Sequence, residues 1–427
     1  MMENKLQKTI PFSLKQAQQW RSRYGTPFYV YDEAGIRETV SAVQNAFSWN
    51  KGFTECFAVK ATPTPAILRL LASMGCGTDC ASVSELVLSA SCGLGGRKVM
   101  FTSNETSDEA YRKAVAIGAI VNLDDITQID NLERAAGIPD TVCLRYNPGS
   151  FSVKGKDATS AIMGSQADSK YGMTKEQLFE AYRILKEKGV KHFGLHCMAA
   201  SCSLEEAYYP TLAEMMFRIV AELHNKLCID IEIADFGGGI GIPYSPEQEP
   251  LDILAIGEAV HKVYDDIILA NGLEVSIYTE LGRFITGPHG YLVTSVRGFK
   301  HIYKEYIGVD ATACDLMRPA MYGAYHHITI LGKEGNELKV DVCGSLCENN
   351  DKFAVDRILP KAELGDILVI HDAGAHGRSM GYNYNGFLRC GELLLSPEGN
   401  VKLIRRSESL DDLFATFDID EEFSYDA

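Results

Sequence analysis

Residues 57–63 read Phe-Ala-Val-Lys-Ala-Thr-Pro, the end of an apolar run that reaches Lys60 and then breaks at a proline. The run predicts a buried strand over Phe53–Ala61 with Lys60 near its end. A lysine in a partly desolvated pocket loses some of its preference for the charged form, and a neutral amine can condense with a carbonyl as a Schiff base. Lys60 is therefore a candidate for holding pyridoxal phosphate. The alternative is a lysine that extends from a strand end into water.

Seven further apolar runs follow this strand, and most are separated by stretches with helical periodicity. Eight strands that alternate with helices indicate an α/β fold with a parallel (β/α)8 TIM barrel, which we expect over residues 35–285. The predicted strands are Phe53–Ala61, Gly77–Ala81, Lys98–Thr102, Ile120–Leu123, Thr141–Tyr146, His192–His196, Ile229–Phe236 and Glu274–Glu280.

The pattern changes after Gly287, where strand-like segments are separated by Gly and Pro turns with few helices between them. This change predicts a C-terminal antiparallel β domain, a sandwich or barrel-like fold, over residues 286–427. Residues 1–34 are expected to join that domain through a strand at Phe28–Tyr31. The other strand candidates are Tyr291–Val296, His327–Leu331, Leu338–Val342, Ile367–Ile370 and Glu392–Leu395.

Length and charge exclude several classes of protein. A chain of 427 residues, 46% of them hydrophobic, is long enough for a large core and two domains. Its formal net charge of −16 argues against non-specific binding to nucleic acid. Met1–Gln19 lacks the pattern of a secretion signal, and no run approaches the roughly 20 apolar residues that span a bilayer. We expect a cytoplasmic protein without nucleic-acid or membrane partners.

The twelve cysteines are spread along the chain, mostly within apolar segments, as Cys56, Cys143, Cys228 and Cys343 illustrate. Such positions are typical of small buried side chains in a reducing compartment. Cys76 and Cys80 lie four residues apart but have no second Cys/His pair at zinc spacing. The sequence therefore predicts no metal site.

In a barrel of this kind the reactive groups gather at the C-terminal ends of the strands. The polar residues and glycines at the predicted strand ends therefore form one group of candidates. They are Lys60, Asp79, Arg145, His196, Ser201, Gly237, Gly238, Gly239, Glu280 and Arg283.

Two of these features suit a phosphorylated pyridine ring. Three glycines after a strand can form a phosphate-binding nest, to which Ser201 could add a hydroxyl, although a plain tight turn also explains a glycine triplet. A carboxylate at Glu280, facing a pyridine nitrogen, would keep the ring protonated so that it draws electrons from a carbanion. Alternatively, Glu280 and Arg283 lie three residues apart and pair with each other.

Eight motifs occur in order along nearly the whole chain: Phe57–Ala61, Asp79–Ser82 with Glu85, Ser169–Gly172, Gly237–Gly241, Glu280–Arg283, Arg318–His326, Cys347–Asp351 and His371–Ala375. In this order and spacing they resemble the motifs of the fold-type III pyridoxal-phosphate decarboxylases, and within them the diaminopimelate decarboxylases. The resemblance implies decarboxylation of meso-2,6-diaminopimelate to L-lysine and carbon dioxide.

The resemblance also implies roles for individual residues. Lys60 would be the Schiff-base lysine and Glu280 the partner of the pyridine nitrogen, with Asp79 and Glu85 as supporting carboxylates. Cys347 would be the proton donor and Glu348 would recognise a substrate ammonium, both in the neighbouring subunit's site, so that a homodimer is implied. The cofactor contacts would come from Lys60, Asp79, His196, Ser201, Gly238, Gly239, Glu280, Gly282, Arg283 and His376, and Arg283 and His376 would also lie near the substrate.

Arg318 connects the sequence to one particular substrate. Diaminopimelate carries a second amino-acid end, and a buried carboxylate there needs a bidentate cationic partner. Arg318, four residues before Tyr322, would supply it beside a phenol. The alternative for Arg318 is a salt bridge at the rim of the site.

Three positions depart from the family pattern. Met198 stands where a histidine usually stacks on the cofactor ring, His376 replaces a tyrosine that contacts phosphate, and Leu281 replaces a proline. A thioether can pack on an aromatic face, and an imidazole N–H can donate a hydrogen bond. Two alternatives therefore stay open: a decarboxylase of another carboxylate-bearing or basic amino acid, and a decarboxylase-like protein that binds a partner without catalysis.

Overall fold

The computed structural model describes residues 8–153, 156–157 and 166–418. The first and last segments of the predicted domains, residues 1–7 and 419–427, lie outside these ranges. The chain divides into two compact units. Of the described residues, one unit contains 8, 33–289 and 374–379, and the other contains 9–32, 290–373 and 380–418.

Nineteen strands occur in the described residues. In chain order they are β1 (Phe28–Asp32), β2 (Thr54–Ala58), β3 (Gly77–Cys80), β4 (Val99–Ser103), β5 (Ile120–Leu123), β6 (Thr141–Arg145), β7 (Ser152–Val153), β8 (Lys156–Asp157), β9 (His192–His196), β10 (Ile231–Asp235), β11 (Ser276–Thr279), β12 (Gly290–His301), β13 (Glu305–Val309), β14 (Ile328–Ile330), β15 (Glu337–Cys343), β16 (Lys352–Pro360), β17 (Ile367–Ile370), β18 (Gly391–Leu395) and β19 (Val401–Arg405).

Twelve α-helices occur in the same residues. They are α1 (Leu14–Tyr24), α2 (Glu33–Ala46), α3 (Pro65–Ser73), α4 (Val83–Ser91), α5 (Asp108–Ala116), α6 (Gln128–Ala136), α7 (Lys175–Glu187), α8 (Tyr208–Leu227), α9 (Ile253–Ile267), α10 (Gly282–Thr286), α11 (Arg318–Tyr322) and α12 (Leu410–Phe414). None of these described helices has the length and apolar character needed to cross a membrane.

The first unit is a closed parallel barrel, as the sequence predicts. Its strands follow the order β10-β11-β2-β3-β4-β5-β6-β9 around the barrel. All five residues of β2 are buried, which is typical of a strand covered on both faces. The barrel interior is filled by one apolar cluster with members on six strands: Cys56, Met100, Ile120, Cys143, Ile233 and Tyr278.

The second unit is built on a nine-stranded sheet whose main path runs β16-β15-β13-β12-β1-β18-β19; off this path β17 pairs with β12, and β14 pairs with β17. Most pairs are antiparallel, as predicted, but β1 pairs with β18 and β13 with β15 in parallel. The predicted strand at Phe28–Tyr31 is β1, in the middle of this sheet. Helix α1 packs on the sheet through Ala17 and Trp20.

Several elements differ from the sequence predictions. The first barrel strand ends at Ala58, and Val59–Ala61 form a short 3-10 turn, so Lys60 lies in the loop after the strand. Helices α1, α2 and α6 and strands β13, β16 and β19 were not predicted. All twelve cysteines are free thiols. Cys228, expected to be buried, is exposed at the left-handed C-cap of α8.

Candidate active site

The carboxyl ends of the barrel strands surround an open cleft, with about 400 Å³ of empty space when the solvent at its mouth is included. It contains eight of the predicted cofactor residues, because parallel strands bring their C-terminal ends to one rim of the barrel. The cleft is lined by Ala58, Lys60, Met198, Ser201, Cys202, Gly238, Gly239, Ile240, Glu280, Leu281, Gly282, Arg283 and His376. The other two predicted cofactor residues contact this lining, since Asp79 bonds to Lys60 and His196 bonds to Glu280.

Lys60 and Asp79 form an ion pair at the ends of β2 and β3. Lys60 Nζ donates to Asp79 Oδ2 at 3.0 Å, and the lysine side chain is 48% exposed while the aspartate is buried. The Asp79 carboxylate raises the pKa of Lys60 above its usual value, and Glu280 adds to the effect. The expected loss of charge on a desolvated lysine is therefore wrong, because the ion pair outweighs the desolvation.

Glu280 follows β11 and is buried. Burial opposes its ionisation, but the attraction of His196, Lys60 and Arg145 outweighs burial and lowers the pKa of Glu280. His196 Nε2 lies 3.4 Å from Glu280 Oε2. Among the described residues Glu280 Oε1 has no hydrogen-bond partner. Glu280 is thus an anionic carboxylate with one buried oxygen still able to accept.

Two further buried acids near Glu280 were not predicted as site residues. Burial raises the pKa of Glu55 to about 8 and also raises that of Asp235. One ligating atom each of Asp235, Glu280 and His196 lies within 4.8 Å of the others. Burial likewise raises the pKa of Asp79 to about 7. Several acid side chains are therefore buried close together. Because burial disfavours the charged form, only some of them can be ionised at the same time.

The glycine triplet follows β10 and forms one wall of the cleft. Gly239 has a φ of +105°, and a Cβ there would lie 2.6 Å from the Tyr208 ring. A Cβ on Gly238 would lie 2.8 Å from the Glu280 carbonyl oxygen. The close approaches leave room only for glycine, so the triplet is more than a surface turn. Its backbone is held by the Ser203 N–H, which donates to the Gly239 carbonyl at 2.8 Å.

Residues 374–379 return from the second half of the chain to the barrel unit. The His376 N–H donates to the Ala61 carbonyl at 2.9 Å, and Ser379 Oγ donates to the same carbonyl at 3.2 Å. Thr62 Oγ1 donates to the Gly374 carbonyl at 2.6 Å. These bonds fix His376 beside the turn that carries Lys60.

Arg283 is the second residue of the short helix α10. Its Nη1 donates to the Tyr244 hydroxyl at 2.5 Å, and its guanidinium lies 5.8 Å from the centroid of that ring. Glu85, predicted as a supporting carboxylate, accepts from the Ala81 N–H at 2.6 Å and closes the turn after β3. Met198 lines the cleft beside the glycine triplet.

The second unit carries the remaining predicted site residues. Arg318 is 4% exposed, and its Nη1 lies 2.9 Å from His326 Nε2. His326 Nδ1 lies 2.8 Å from the His371 carbonyl oxygen, which can only accept, so Nδ1 carries the proton and Nε2 accepts from Arg318. Arg318 is thus a buried guanidinium whose orientation is set by a histidine. Tyr322, at the end of α11, is 39% exposed.

Cys347 and Glu348 lie on an exposed loop between β15 and β16. The buried Asp351 fixes this loop: its Oδ2 accepts from the Leu346 N–H at 2.8 Å and its Oδ1 from the Ala313 N–H at 2.7 Å. The Cys347 N–H donates to Asn385 Oδ1 at 2.7 Å. Cys347 is thus an exposed thiol on an ordered loop and not one of the buried cysteines of the apolar segments.

The barrel cleft has the groups that pyridoxal phosphate requires. A lysine amine stands in the cleft for covalent attachment, and Glu280 offers a buried, unsatisfied carboxylate oxygen to a protonated pyridine nitrogen. The glycine wall, with Ser201 in the same lining, allows a phosphate to approach the backbone. The donor set therefore fits this cofactor.

Comparisons with known proteins agree with this fit. The model of the pyridoxal-dependent decarboxylase family, pyridoxal binding domain, matches residues 33–287. Protein TabA of Pseudomonas amygdali pv. tabaci is 42% identical over 392 residues, covering 91% of this chain and 90% of that protein. The diaminopimelate decarboxylase of Methanothermobacter thermautotrophicus is 35% identical over 394 residues, covering 91% of each. The crystal structure of diaminopimelate decarboxylase from M. jannaschii with L-lysine has a TM-score of 0.87 and 30% identity, covering 95% of this chain and 94% of that one.

Proposed function

The chain belongs to the pyridoxal-dependent decarboxylases, a family of carboxy-lyases, and from this premise we propose that it converts meso-2,6-diaminopimelate to L-lysine and carbon dioxide. The observation that carries the choice of substrate is Arg318, a buried guanidinium oriented by a neutral histidine. Relatives named diaminopimelate decarboxylase, and one crystallised with L-lysine, support the same choice. The cofactor is pyridoxal phosphate, which supplies an electron sink for the carbanion left when carbon dioxide departs.

Lys60 is assigned to covalent attachment of the cofactor. The attacking amine must be neutral, whereas the Asp79 carboxylate holds Lys60 as an ammonium. Asp79 Oδ2 lies 3.0 Å from that ammonium, so Asp79 is assigned to orienting the Lys60 amine in the cleft.

Glu280 is assigned to the pyridine nitrogen. Its lowered pKa keeps it anionic, and the anion favours the protonated ring. His196 holds Oε2, which leaves Oε1 for this interaction. The phosphate is assigned to Gly238, Gly239, Ser201 and His376, with Gly282 and Arg283 completing the cleft.

The distal end of the substrate is assigned to the second unit. A guanidinium offers two parallel N–H donors to a carboxylate, and one further N–H of Arg318 is already used by His326. Tyr322, Arg283 and His376 are assigned to the substrate as well, and Glu348 to its distal ammonium. These assignments rest on the family resemblance.

Cys347 is assigned to proton donation after carbon dioxide leaves, because a thiol can donate a proton and this one is exposed on an ordered loop. In the resembling family this loop acts in the partner's site, so we assign the chain to a homodimer with shared active sites. The homodimer and a cytoplasmic location are parts of the proposal.

The test is a substrate panel with the purified, cofactor-loaded protein. Release of carbon dioxide is measured with meso-diaminopimelate, L-lysine and L-ornithine, and products are identified by mass. The proposal expects L-lysine from meso-diaminopimelate, with kcat/KM at least tenfold above that for either diamino acid without a second carboxylate, the factor that corresponds to about 1.4 kcal/mol. Equal or greater turnover of L-lysine or L-ornithine would contradict it.

A second candidate is decarboxylation of a different amino acid with a distal carboxylate. The 42% identity to TabA exceeds the 35% identity to the diaminopimelate decarboxylase described above. Met198 and His376, which depart from the family pattern, both line the cleft, where they would alter its shape. Turnover of another such acid, with meso-diaminopimelate left intact, would favour this candidate. Binding of the amino acids without release of carbon dioxide would favour a non-catalytic protein.

A further inference from the structure

Glu55 is a buried acid that holds both neighbours of Glu280. Thr279 Oγ1 donates to Glu55 Oε2 at 2.5 Å, and the Leu281 N–H donates to Glu55 Oε1 at 2.8 Å. Glu280 stands between these two anchored residues. The Glu280 N–H is also fixed, because it donates to the Gly237 carbonyl at 2.8 Å.

Glu55 acts from outside the barrel. Cys56 and Tyr278 belong to the cluster that fills the interior, and successive residues of a strand point to opposite faces. Glu55 and Thr279, which lie opposite each other in the β2–β11 register, therefore face the helix layer. Glu280 itself lines the cleft, so Glu55 does not face the cofactor site but supports it from behind.

Burying a carboxyl group at this position destabilises the fold unless the group forms hydrogen bonds. Glu55 is 3% exposed, and burying a polar group without hydrogen bonds costs a few kcal/mol, so apolar residues are the usual choice for a strand facing a helix layer. Both carboxyl oxygens of Glu55 are used, and both bonds end on residues adjacent to Glu280. The two contacts thus restrain one short peptide.

We propose that Glu55 is a positioning residue that fixes the carboxylate of Glu280 against the pyridine nitrogen of the cofactor by clamping residues 279 and 281. The inference rests on the proposed role of Glu280. It gives Glu55 an effect on the electronic state of the bound cofactor, beyond its contribution to folding. The charged groups that act on Glu55 are Glu280 and Asp79.

The experiment compares Glu55→Leu, Glu55→Gln and Glu280→Gln, each loaded with pyridoxal phosphate. The visible absorption of the bound cofactor, kcat and KM are measured. Glu55→Leu is expected to move the absorption in the same direction as Glu280→Gln does. It should also lower kcat about 10- to 100-fold, the usual effect of losing a residue that orients a ligand-binding side chain, and change KM by less than about threefold. Glu55→Gln is expected to restore both, since an amide can accept from Leu281 and donate to Thr279.

Asn50→Leu is the matched control. Asn50 is also buried and also bridges β11 with two bonds, but at the opposite end: it donates to the Val275 carbonyl at 2.9 Å and accepts from the Ile277 N–H at 3.2 Å. Its substitution should lower Tm as much as Glu55→Leu does while leaving the absorption unchanged. If Glu55→Leu and Asn50→Leu give the same spectrum and kcat, the role of Glu55 is structural and the inference is overturned.

Two further outcomes are decisive. If Glu55→Leu does not fold, the variant Thr279→Val is used instead, because it removes one of the two hydrogen bonds of Glu55. A shift of the Thr279→Val absorption in the same direction as in Glu280→Gln supports the inference, and an unshifted absorption overturns it. If Glu280→Gln leaves the absorption of the bound cofactor unchanged, the assignment of Glu280 to the pyridine nitrogen fails, and the inference fails with it. Shifted absorption in Glu280→Gln with none in Glu55→Leu overturns the inference alone.

Discussion

Removing the guanidinium of Arg318 should weaken the binding of ligands that carry a distal carboxylate and no others. L-lysine, the proposed product, keeps the second amino-acid end of diaminopimelate, whereas cadaverine lacks any carboxylate. The perturbation is Arg318→Met, which preserves much of the apolar stem while deleting the charge. We expect weaker competitive inhibition by L-lysine and little change for cadaverine.

The magnitude follows from the contacts of Arg318. One N–H is held by His326 at 2.9 Å, and that histidine is locked by the His371 carbonyl, which keeps the guanidinium in one orientation. A guanidinium can offer two parallel N–H donors to a carboxylate, and losing such a charged hydrogen-bonded pair costs about 2–4 kcal/mol. At about 1.4 kcal/mol per factor of ten, the inhibition constant of L-lysine should rise about 30- to 700-fold.

The assay is steady-state inhibition of diaminopimelate turnover, or displacement from the loaded protein where the variant is too slow. The control is Arg297→Met, an exposed arginine of the same unit that pairs with Asp310 at 2.9 Å, which should leave both inhibition constants within about twofold. Equal weakening of L-lysine and cadaverine in Arg318→Met would mean that Arg318 supports the fold and not the ligand. Unchanged L-lysine binding would remove the main support for the substrate.

Two other predictions concern the dimer and the pH dependence of stability. Mixing the inactive Lys60→Ala and Cys347→Ala homodimers should restore about a quarter of the active sites. Random exchange of subunits makes half of the dimers mixed, and each mixed dimer would have one complete site. If mass measurements show exchange but activity does not return, both residues serve the site of the same chain. Burial raises the folded-state pKa of Glu55 from its ordinary 4.5 to about 8, so the unfolded chain ionises first and stability is lost as pH rises between these values. In urea unfolding at pH 5 and pH 8, the loss of stability between the two pH values should be about 3.5 kcal/mol smaller for Glu55→Gln than for the parent, and equal losses would show that Glu55 ionises normally in the folded protein.

The barrel was predictable because its strands are buried on both faces and alternate with helices, which leaves short apolar runs at regular intervals. The candidates at the predicted strand ends then included six of the thirteen residues that line the cleft. The motif around Lys60 marked the first strand, although Pro63 and the turn before it shorten that strand to Ala58. Helix α1 was missed although Ser13 and Gln16 form a capping box, a signal that the sequence does show.

The electrostatics of the site could not be predicted in the same way. Barrel closure places β11 beside β2, so residues more than 200 apart in the chain become neighbours, as Glu55 and Thr279 do. Sequence shows Lys60 at the end of an apolar run, but the sign of its pKa shift depends on Asp79, which reaches it from the next strand. Glu55 was overlooked because a single glutamate in an apolar strand carries no motif, and its role depends on the turn it contacts.

The most direct test of the account is to locate the lysine that holds the cofactor. The protein is loaded with pyridoxal phosphate, reduced with borohydride, digested and analysed by peptide mass spectrometry, with Lys60→Ala treated in parallel. The account expects the pyridoxyl group on Lys60 in the parent, and neither this modification nor activity in the variant. A pyridoxyl group on another lysine that persists in Lys60→Ala, together with retained decarboxylation, would contradict it.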